Sequence, residues 1–402
     1  MLTHIAKLIW NTRSTRLLLA GQILLSFLVL FSVFSFVGDK FVDYVTPLGF
    51  DVVDSYKVSV ELPEAIDTVA TERKALFERL RLEVEAIPEV VRVANVGFIA
   101  PFDNSQWGWG EDNDGIHIWT RLLMVDQHYG EAAKLPLARG RWFTPSDTIN
   151  GALGIVVNEE WLAYNFAGND MLDSTINFFN TEENGTRATK IVGVVKNYKY
   201  LGEFAEEEAI TFVPHAPWDP QNEENYWQGL QVRVAPGTAA AIEEEIFEVV
   251  SAVTGSRESV IQPLEQRRVS TSKAHWVPIL LLLSICTFLV VNVALGLFGI
   301  LINAIAKRRG EIGLRKAMGA TGFSVTSQLT TEVGLVALSG LVVGALIALQ
   351  IYYLELLPIE GTMLLYGAVA AAGLILVLII LCAAIPSSQA ARIHPATALR
   401  ED

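Results

Sequence analysis

The sequence predicts a membrane protein with four transmembrane helices and a large α+β domain inserted between helices 1 and 2. Composition gives the first indication: 51% of the 402 residues are hydrophobic and only 18% are charged, whereas about a quarter of an average globular chain is charged. The second is a set of four long uncharged runs, since a helix needs about 20 apolar residues to cross a bilayer. The third is a series of short alternating apolar segments between the first two runs, which is typical of strands.

The four runs set the predicted boundaries of the chain. Transmembrane helices are expected at 17–37, 277–306, 329–354 and 361–385. The other parts are an N-terminal segment, the large domain, a short loop and a C-terminal tail, at 1–16, 38–276, 307–328 and 386–402. The first run follows three bases, as the apolar part of a signal peptide does. Its length and the unsuitable cleavage site after it favour a retained transmembrane helix.

Lysine and arginine in the short loops predict the orientation. Segment 1–16 contains three bases and no acid, and segment 307–328 contains five bases and one acid. The turn between the third and fourth runs contains Glu355 and Glu360 and no base. Because basic loops stay in the cytoplasm, we expect both termini and segment 307–328 there, and the large domain on the other side of the membrane.

The composition of the large domain restricts its partners. The formal net charge of the chain is −14, and the excess acids lie in this domain, which argues against binding to nucleic acid. Cys286 and Cys382 both fall in predicted spans, so no disulfide is expected in the domain. Seven of its tryptophans, at positions 107, 109, 119, 142, 161, 218 and 227, are expected in the core in preference to a contact surface.

Periodicity in the large domain predicts an α+β arrangement. Helices are expected at 68–87 and 238–253, where apolar residues recur every three or four positions. Residues 50–100 and 225–268 then form one part, and residues 101–224 form a second part inserted into it. No helix breaker precedes Pro278, so the second transmembrane helix is expected to begin outside the membrane as a stalk. The expected strands are 56–62, 90–99, 116–125, 154–157, 190–195, 230–234 and 260–264.

No catalytic or cofactor-binding motif is recognisable in the sequence. A Walker A loop requires Gly-Lys, and this pair does not occur in the chain. Gly108-Trp-Gly110 is expected to be a loop, and the six histidines show no metal-ligand spacing. The uncharged runs lack the ionisable residue that often marks a transport pathway, although Asn292 can link helices. We therefore expect a protein that is not an enzyme and binds no metal or cofactor directly.

The most informative segment follows the second transmembrane helix. Residues 306–321 form a short amphipathic pattern in which Ile312, Leu314 and Met318 can face the bilayer or the helix bundle. The charged residues of the segment face water or a partner. Gly319 is placed to end this helix, and Thr321 can cap the next one.

This segment carries a family resemblance. Residues 309–320 read Arg-Gly-Glu-Ile-Gly-Leu-Arg-Lys-Ala-Met-Gly-Ala, which resembles the signature of MacB/FtsX-like ABC transporter permeases. The stretch His394-Pro-Ala-Thr-Ala-Leu-Arg400 is similar to the closing tail of that family. The resemblance implies a coupling helix that docks into an ATPase subunit. The coupling residues would be Arg309, Glu311, Ile312, Gly313, Leu314, Arg315, Lys316, Met318 and Gly319.

The resemblance also implies a function and a set of partners. The chain would be a MacB-type permease without a fused ATPase domain, located in the bacterial inner membrane. It would pass movement from a separate ABC ATPase subunit, which binds ATP and Mg²⁺, to the periplasmic domain and so drive export of a substrate. The expected partners are that ATPase, a second permease copy or a paralogous permease, membrane lipid, and a periplasmic adaptor with a TolC-type outer-membrane channel.

Two alternatives share this architecture. One is a permease that releases lipoproteins, and the other is an FtsX-like regulator of a cell-wall hydrolase. The small-residue pair Gly340 and Gly344 would allow close packing of helices. Because permeases of this family work as dimers, the resemblance implies close contact between the two subunits.

Overall fold

The computed structural model describes residues 13–62, 70–103, 105–113, 115–148, 152–179, 188–214, 227–307, 310, 314, 318 and 321–390. The chain divides into two compact units. Residues 1–42 and 276–402 make up the first, which we call the helical unit, and residues 43–275 make up the second, which we call the sheet unit. Their helices and strands, in chain order, are α1 (Arg13–Val45), β1 (Ser55–Ser59), α2 (Ala70–Glu85), β2 (Val90–Val96), β3 (Gly108–Asn113), β4 (Ile116–Met124), α3 (Tyr129–Ala132), β5 (Leu137–Gly140), a 3₁₀ turn (Pro145–Thr148), β6 (Leu153–Asn158), α4 (Glu159–Phe166), β7 (Thr175–Asn177), β8 (Ala188–Val195), β9 (Ile210–Val213), β10 (Gly229–Val234), α5 (Ile242–Thr254), β11 (Val260–Pro263), α6 (Leu264–Lys307), α7 (Gly322–Tyr353) and α8 (Gly361–Ala390).

Four of the described helices are long and apolar enough to cross a membrane, as the sequence predicts. They contain the segments Leu17–Val45, Leu264–Lys307, Thr330–Tyr353 and Gly361–Cys382. Helix α6 has 44 residues and is continuous through Pro278, so at 1.5 Å per residue it is about 66 Å long. Helix α6 begins at Leu264, well before its apolar run. Helices α1 and α6 each contain residues of both units.

Helix α1 provides much of the buried core of the helical unit. Its inward-facing side chains are less than one tenth exposed because the three other long helices pack around them. Glycines mark the closest approaches. A Cβ on Gly296 of α6 would lie 2.9 Å from Gln22 Oε1, and a Cβ on Gly367 of α8 would lie 2.1 Å from Ser35 Oγ. The buried apolar residues of α1 are Leu19, Ile23, Phe27, Leu30, Phe31 and Val33.

A four-stranded antiparallel sheet forms the first part of the sheet unit. Its strand order is β11-β1-β10-β2, so its strands come from both ends of the unit's sequence. One face packs against α2 and α5 around fully buried side chains such as Phe77, Leu80 and Ile246. The expected alternating strand at 56–62 is observed as β1, which ends at Ser59 and has the inward-facing residues Tyr56 and Val58 buried.

The seven-stranded sheet forms the inserted part. Its path is β3-β4-β9-β6-β8-β5, and β7 pairs with β8 as well. Strands β6 and β8 pair in parallel, as do β4 and β9, and β6 is buried along its whole length. The predicted division of the large domain into an enclosing part and an inserted part is therefore confirmed by the two sheets.

The prediction of a loop at Gly108-Trp-Gly110 is wrong. These residues begin strand β3, which pairs with β4 in the antiparallel register Gly108↔Arg121 to Asn113↔Ile116. A Cβ on Gly108 would lie 3.3 Å from the Thr120 carbonyl oxygen, so the glycine fits the close approach of the neighbouring strand. Pairing with β4 overrides the low strand propensity of a Gly- and Asp-containing sequence.

The tryptophans of the sheet unit are packing residues. Trp161 is fully buried, and Trp107, Trp109, Trp119, Trp142 and Trp227 are partly buried against the three hydrophobic cores of the unit. Trp218 lies outside the described residues. The expectation of core tryptophans is confirmed for the described ones.

Candidate functional site

The segment between α6 and α7 is the candidate site for coupling to a partner. Helix α6 ends at Lys307, and α7 begins at Gly322. Thr321 has an extended backbone and caps α7, because its Oγ1 accepts a hydrogen bond from the Ser324 N–H at 3.3 Å. The predicted N-cap is therefore confirmed.

Two apolar side chains of this segment are open to the surroundings. The Met318 N–H donates to the Leu314 carbonyl at 3.0 Å, so the two residues lie one helical turn apart and on the same face. Leu314 is 50% exposed and Met318 is 74% exposed. The structure therefore does not bury them in the bundle of their own chain, which was one of the two environments expected.

The other predicted coupling residues lie outside the described residues. They are Arg309, Glu311, Ile312, Gly313, Arg315, Lys316 and Gly319.

The glycine pair of α7 packs against α1 of the same chain. A Cβ on Gly340 would lie 2.7 Å from the Ala20 carbonyl oxygen, and one on Gly344 would lie 2.5 Å from Phe27 Cδ1. Such distances are shorter than van der Waals contact, so only glycine allows this approach of the two helices. The structure therefore places this face inside one chain, and a dimer would need another surface.

Among the described residues, the side chain of Asn292 bonds within its own helix and not to another helix, in contrast to the expectation. Its Nδ2 donates to the Phe288 carbonyl of its own helix at 2.9 Å. The link comes instead from Gln22 of α1, whose Nε2 donates to the Asn292 carbonyl oxygen at 3.2 Å. Sequence reasoning missed Gln22, although a polar amide in the middle of an apolar run is the signal that could have indicated it.

Charged groups described in the sheet unit form local ion pairs and hydrogen bonds. Asp147 receives hydrogen bonds from both terminal nitrogens of Arg141 at 2.6 and 2.7 Å, and this guanidinium holds the pKa of the Asp147 carboxyl well below its usual range. His117 Nδ1 lies 2.8 Å from Asp112 Oδ1 at an exposed position. Among the described residues, no three His, Cys, Asp or Glu side chains are grouped closely enough to hold a metal ion.

Four described helices that are long and apolar enough to cross a membrane, with an α+β domain between the first and second, define the class: a multi-pass membrane protein. Residues 26–249 match the family model described as the MacB-like periplasmic core domain, and residues 283–395 match that of the FtsX-like permease C-terminal. The first match alone covers more than half of the chain. The chain belongs to the MacB/FtsX-like family of ABC transporter permeases.

Individual relatives are distant. The chain is 24% identical over 292 residues to the macrolide export ATP-binding/permease protein MacB 2 of Aeromonas hydrophila, which covers 70% of this chain and 43% of that protein. It is also 24% identical over 294 residues to the probable export ATP-binding/permease protein MacB of Pseudomonas entomophila, with 70% and 42% covered. The chain thus spans less than half the length of these curated relatives.

Among solved structures, the periplasmic region of MacB from Actinobacillus actinomycetemcomitans is similar with a TM-score of 0.39 and 12% identity. The match covers 56% of this chain and 94% of that one. The extracellular domain of the noncanonic ABC-type transporter YknZ from Gram-positive bacteria is similar with a TM-score of 0.35 and 13% identity, covering 52% and 99%.

Proposed function

We propose that this chain is the permease subunit that passes movement from a cytoplasmic ABC ATPase to the sheet unit and so drives export of a substrate. The observation that carries the proposal is the exposed pair Leu314 and Met318 on the short segment between α6 and α7. Two apolar side chains on one helical face form a small contact surface for a groove on another protein. The basic residues around them supply electrostatic complementarity to an acidic partner.

The proposed orientation places this segment in the cytoplasm of a bacterial cell, with the helical unit in the inner membrane and the sheet unit in the periplasm. The five bases of segment 307–328 and the acidic turn between α7 and α8 support this orientation. ATP and Mg²⁺ would then bind to the partner ATPase, since the 402 residues contain no Gly-Lys pair for a Walker A loop.

The proposed mechanism uses α1 and α6 as rigid links. ATP can shift the permease between two states only if the ATPase binds the coupling segment differently in those states. Displacement of the segment would move α6, because the segment directly follows Lys307. The uncharged runs favour a substrate that is handled in the periplasm rather than one that crosses the bilayer between these helices.

A pair of variants in the full chain tests the proposal. Leu314→Asp combined with Met318→Asp places two charges on the proposed contact. Burying one such side chain stabilises a complex by roughly 1.5–3 kcal/mol, so we expect at least about a tenfold loss of bound ATPase. The measurement is purification of the tagged chain from its native membrane in mild detergent, with quantitative mass spectrometry of the proteins that are recovered with it.

The matched control is Leu356→Asp. Leu356 is 63% exposed in the turn between α7 and α8, on the opposite side of the membrane in the proposed orientation. We expect it to leave ATPase recovery unchanged. Equal loss in both variants, or no ATPase with the unaltered chain, contradicts the proposal.

The same purification decides between export and the two alternatives. Recovery of a periplasmic adaptor and a TolC-type channel with the ATPase supports export through an outer-membrane duct. Recovery of the ATPase with lipoproteins supports lipoprotein release, and recovery with a cell-wall hydrolase supports a regulatory role. Charge reversal by Glu311→Lys or Arg315→Glu is expected to separate ATP hydrolysis from the activity that is identified in this way.

A further inference from the structure

The loop that follows β8 contacts two long helices within the sheet unit. We call residues 198–204 the joint. On one side the joint contacts the last residues of α1, and on the other side it contacts the first turns of α6. Its sequence, Tyr198-Lys-Tyr-Leu-Gly-Glu-Phe204, contains two charged residues among aromatic ones.

Lys199 makes the contact with α1. Its side chain is only 2% exposed, and its Nζ donates to the Asp43 carbonyl at 2.5 Å and to the Glu203 carbonyl at 2.8 Å. The last four carbonyls of a helix have no partner within the helix, and a cation there interacts favourably with the helix dipole. Lys199 therefore fixes the C-terminal turn of α1 to the joint.

Glu203 makes the contact with α6. Its Oε1 accepts a hydrogen bond from Arg268 at 3.1 Å, and its Oε2 accepts one from the Ser272 hydroxyl at 2.6 Å. Arg268 and Ser272 lie four positions apart and so share one face of the helix. Because both carboxylate oxygens are used, the orientation of Glu203 against α6 is determined.

Phe204 adds a contact to both helices. Its ring centroid lies 5.2 Å from that of Tyr44 in α1 and 5.4 Å from that of His275 in α6, the latter with nearly parallel planes. The Phe204 side chain is 4% exposed. The ends of the two helices are thus joined through one aromatic ring as well as through two charged side chains.

The joint follows β8 in the chain, and hydrogen bonds connect its start to the segment that follows α1. The Lys199 N–H donates to the Leu48 carbonyl at 2.9 Å, and Asn197 Nδ2 donates to the Pro47 carbonyl at 2.5 Å. Gly202 has a φ of +116°, and a Cβ there would lie 3.3 Å from Thr271 Cγ2. A turn of this conformation favours glycine, and it brings the joint close to α6.

The neighbouring arginine of α6, Arg267, contacts a different part of the sheet unit. Arg267 donates to Gln262 Oε1 of β11 at 2.6 Å and to the Phe102 carbonyl at 3.1 Å, and it pairs with Asp103. Consecutive residues of a helix point in different directions. Arg267 therefore connects α6 to the four-stranded sheet, whereas Arg268 connects it to the joint and so to the seven-stranded sheet.

We propose that the joint, through Lys199 and Glu203, fastens the ends of α1 and α6 to each other and to the seven-stranded sheet, so that both helices move this sheet together. The role in transport rests on the proposed function above, whereas the mechanical connection does not. Lys199 and Glu203 are positioning residues that act through the helices they hold.

A distance measurement on the full chain tests the connection. In a variant in which Cys286 and Cys382 are replaced by alanine, spin labels at Val45→Cys and Ala274→Cys report the separation of the two helix ends by double electron–electron resonance. We expect a single narrow distance distribution with the joint intact. Glu203→Gln or Lys199→Met is expected to broaden it about twofold, because each variant frees one helix end to fluctuate.

The control variant is Glu248→Gln, which removes an exposed ion pair elsewhere in the sheet unit. In that pair, Glu248 Oε1 lies 2.8 Å from Arg257 Nη2. This variant should leave the distribution unchanged. An unchanged width in Glu203→Gln overturns the proposal. If Lys199→Met fails to give the thermal unfolding transition of the unaltered chain, Glu203→Gln decides alone, since glutamine keeps the size of the side chain.

The two proposals fail in different ways. The distance distributions are measured without any ATPase, so they test the joint even if no ATPase is recovered with the unaltered chain. Conversely, normal ATPase recovery together with unchanged distances contradicts the proposed role of the joint and leaves the proposed function intact.

Discussion

The helical unit and the sheet unit are each stabilised internally, by different kinds of packing. In the helical unit, α1 lies against glycines of all three other long helices, at Gly296, Gly340, Gly344 and Gly367. In the sheet unit, large side chains such as Phe212, Trp161 and Phe77 are fully buried. Lipid is as apolar as the helices, so close backbone approach contributes the attraction there, whereas water around a sheet rewards the burial of large apolar groups. The comparison teaches that the two units are sensitive to opposite changes in side-chain size.

Truncation in the sheet unit is expected to have the largest effect. Phe212 is fully buried, with ring centroids of Tyr198, Trp142 and Tyr129 at 5.0, 5.4 and 6.1 Å. Phe212→Ala leaves a cavity in this aromatic cluster and should lower the free energy of unfolding by about 4 kcal/mol. Chemical unfolding of the detergent-solubilised chain, followed by tryptophan fluorescence, measures this loss. Leu82→Ala, at a side chain that is 54% exposed, should change the value by less than about 0.5 kcal/mol.

Enlargement in the helical unit is expected to have the next largest effect. Gly340→Leu forces a side chain against the Ala20 carbonyl and Ile23 and should lower the free energy of unfolding by about 3 kcal/mol. Gly334→Leu is the matched control, because it lies on the same helix and a Cβ there meets nothing within 4 Å. Unfolding by sodium dodecyl sulfate in mixed micelles, followed by circular dichroism, compares the two variants. Equal destabilisation would show that the glycine contact with α1 is not what holds α7.

The smallest expected effect is the dependence of sheet-unit stability on pH through Asp126. Burial raises the pKa of this carboxyl from 3.8 to about 7. Hydrogen bonds from the backbone N–H groups of Asn95 and His128, together with the charge of Arg81, lower the pKa and so oppose the effect of burial. The folded state therefore binds this proton more tightly than the unfolded state does. The resulting stabilisation is complete below about pH 4 and is lost as the pH rises through about 7.

Comparison with Asp126→Asn isolates this contribution. The pKa of His128 is lowered by burial, so His128 changes stability with pH in the opposite direction and remains in both proteins. We expect the difference in unfolding free energy between the unaltered chain and the variant to fall from pH 5 to pH 8. Trp142, whose indole N–H lies 3.4 Å from the Asp126 carbonyl oxygen, reports unfolding by fluorescence. A pH-independent difference would show that Asp126 stays ionised in the folded chain.

The sequence was sufficient for the features that depend on long patterns. Four uncharged runs and the alternation of residues such as Tyr56, Val58 and Val60 predicted the helices and the enclosing sheet correctly, because their periodicity follows directly from which face is buried. The pair Gly340 and Gly344 in α7 was recognised as a close-packing face from its small residues and their spacing. Its partner, α1, was not identified, since spacing on one helix carries no information on which helix lies opposite.

The remaining features depend on contacts between residues far apart in the chain. Strand β3 was missed because its pairing with β4, not its own composition, determines its conformation. Lys199 and Glu203 gave no signal as a pair, because their partners Asp43 and Arg268 are distant in sequence. A charged residue that is buried between aromatic ones can be suspected from sequence, but its hydrogen-bond partners cannot be read from it.

The central position of α1 has a consequence for how the protein is made. Its glycine-bearing partners in α7 and α8 follow it by about 300 residues, so at 5–20 residues per second they leave the ribosome roughly 15–60 s after it. During that interval α1 resides in the membrane without the helices that cover Ile23 and Phe27. Insertion of α1 therefore takes place before α7 and α8 can cover it, and closure of the bundle around α1 follows their synthesis.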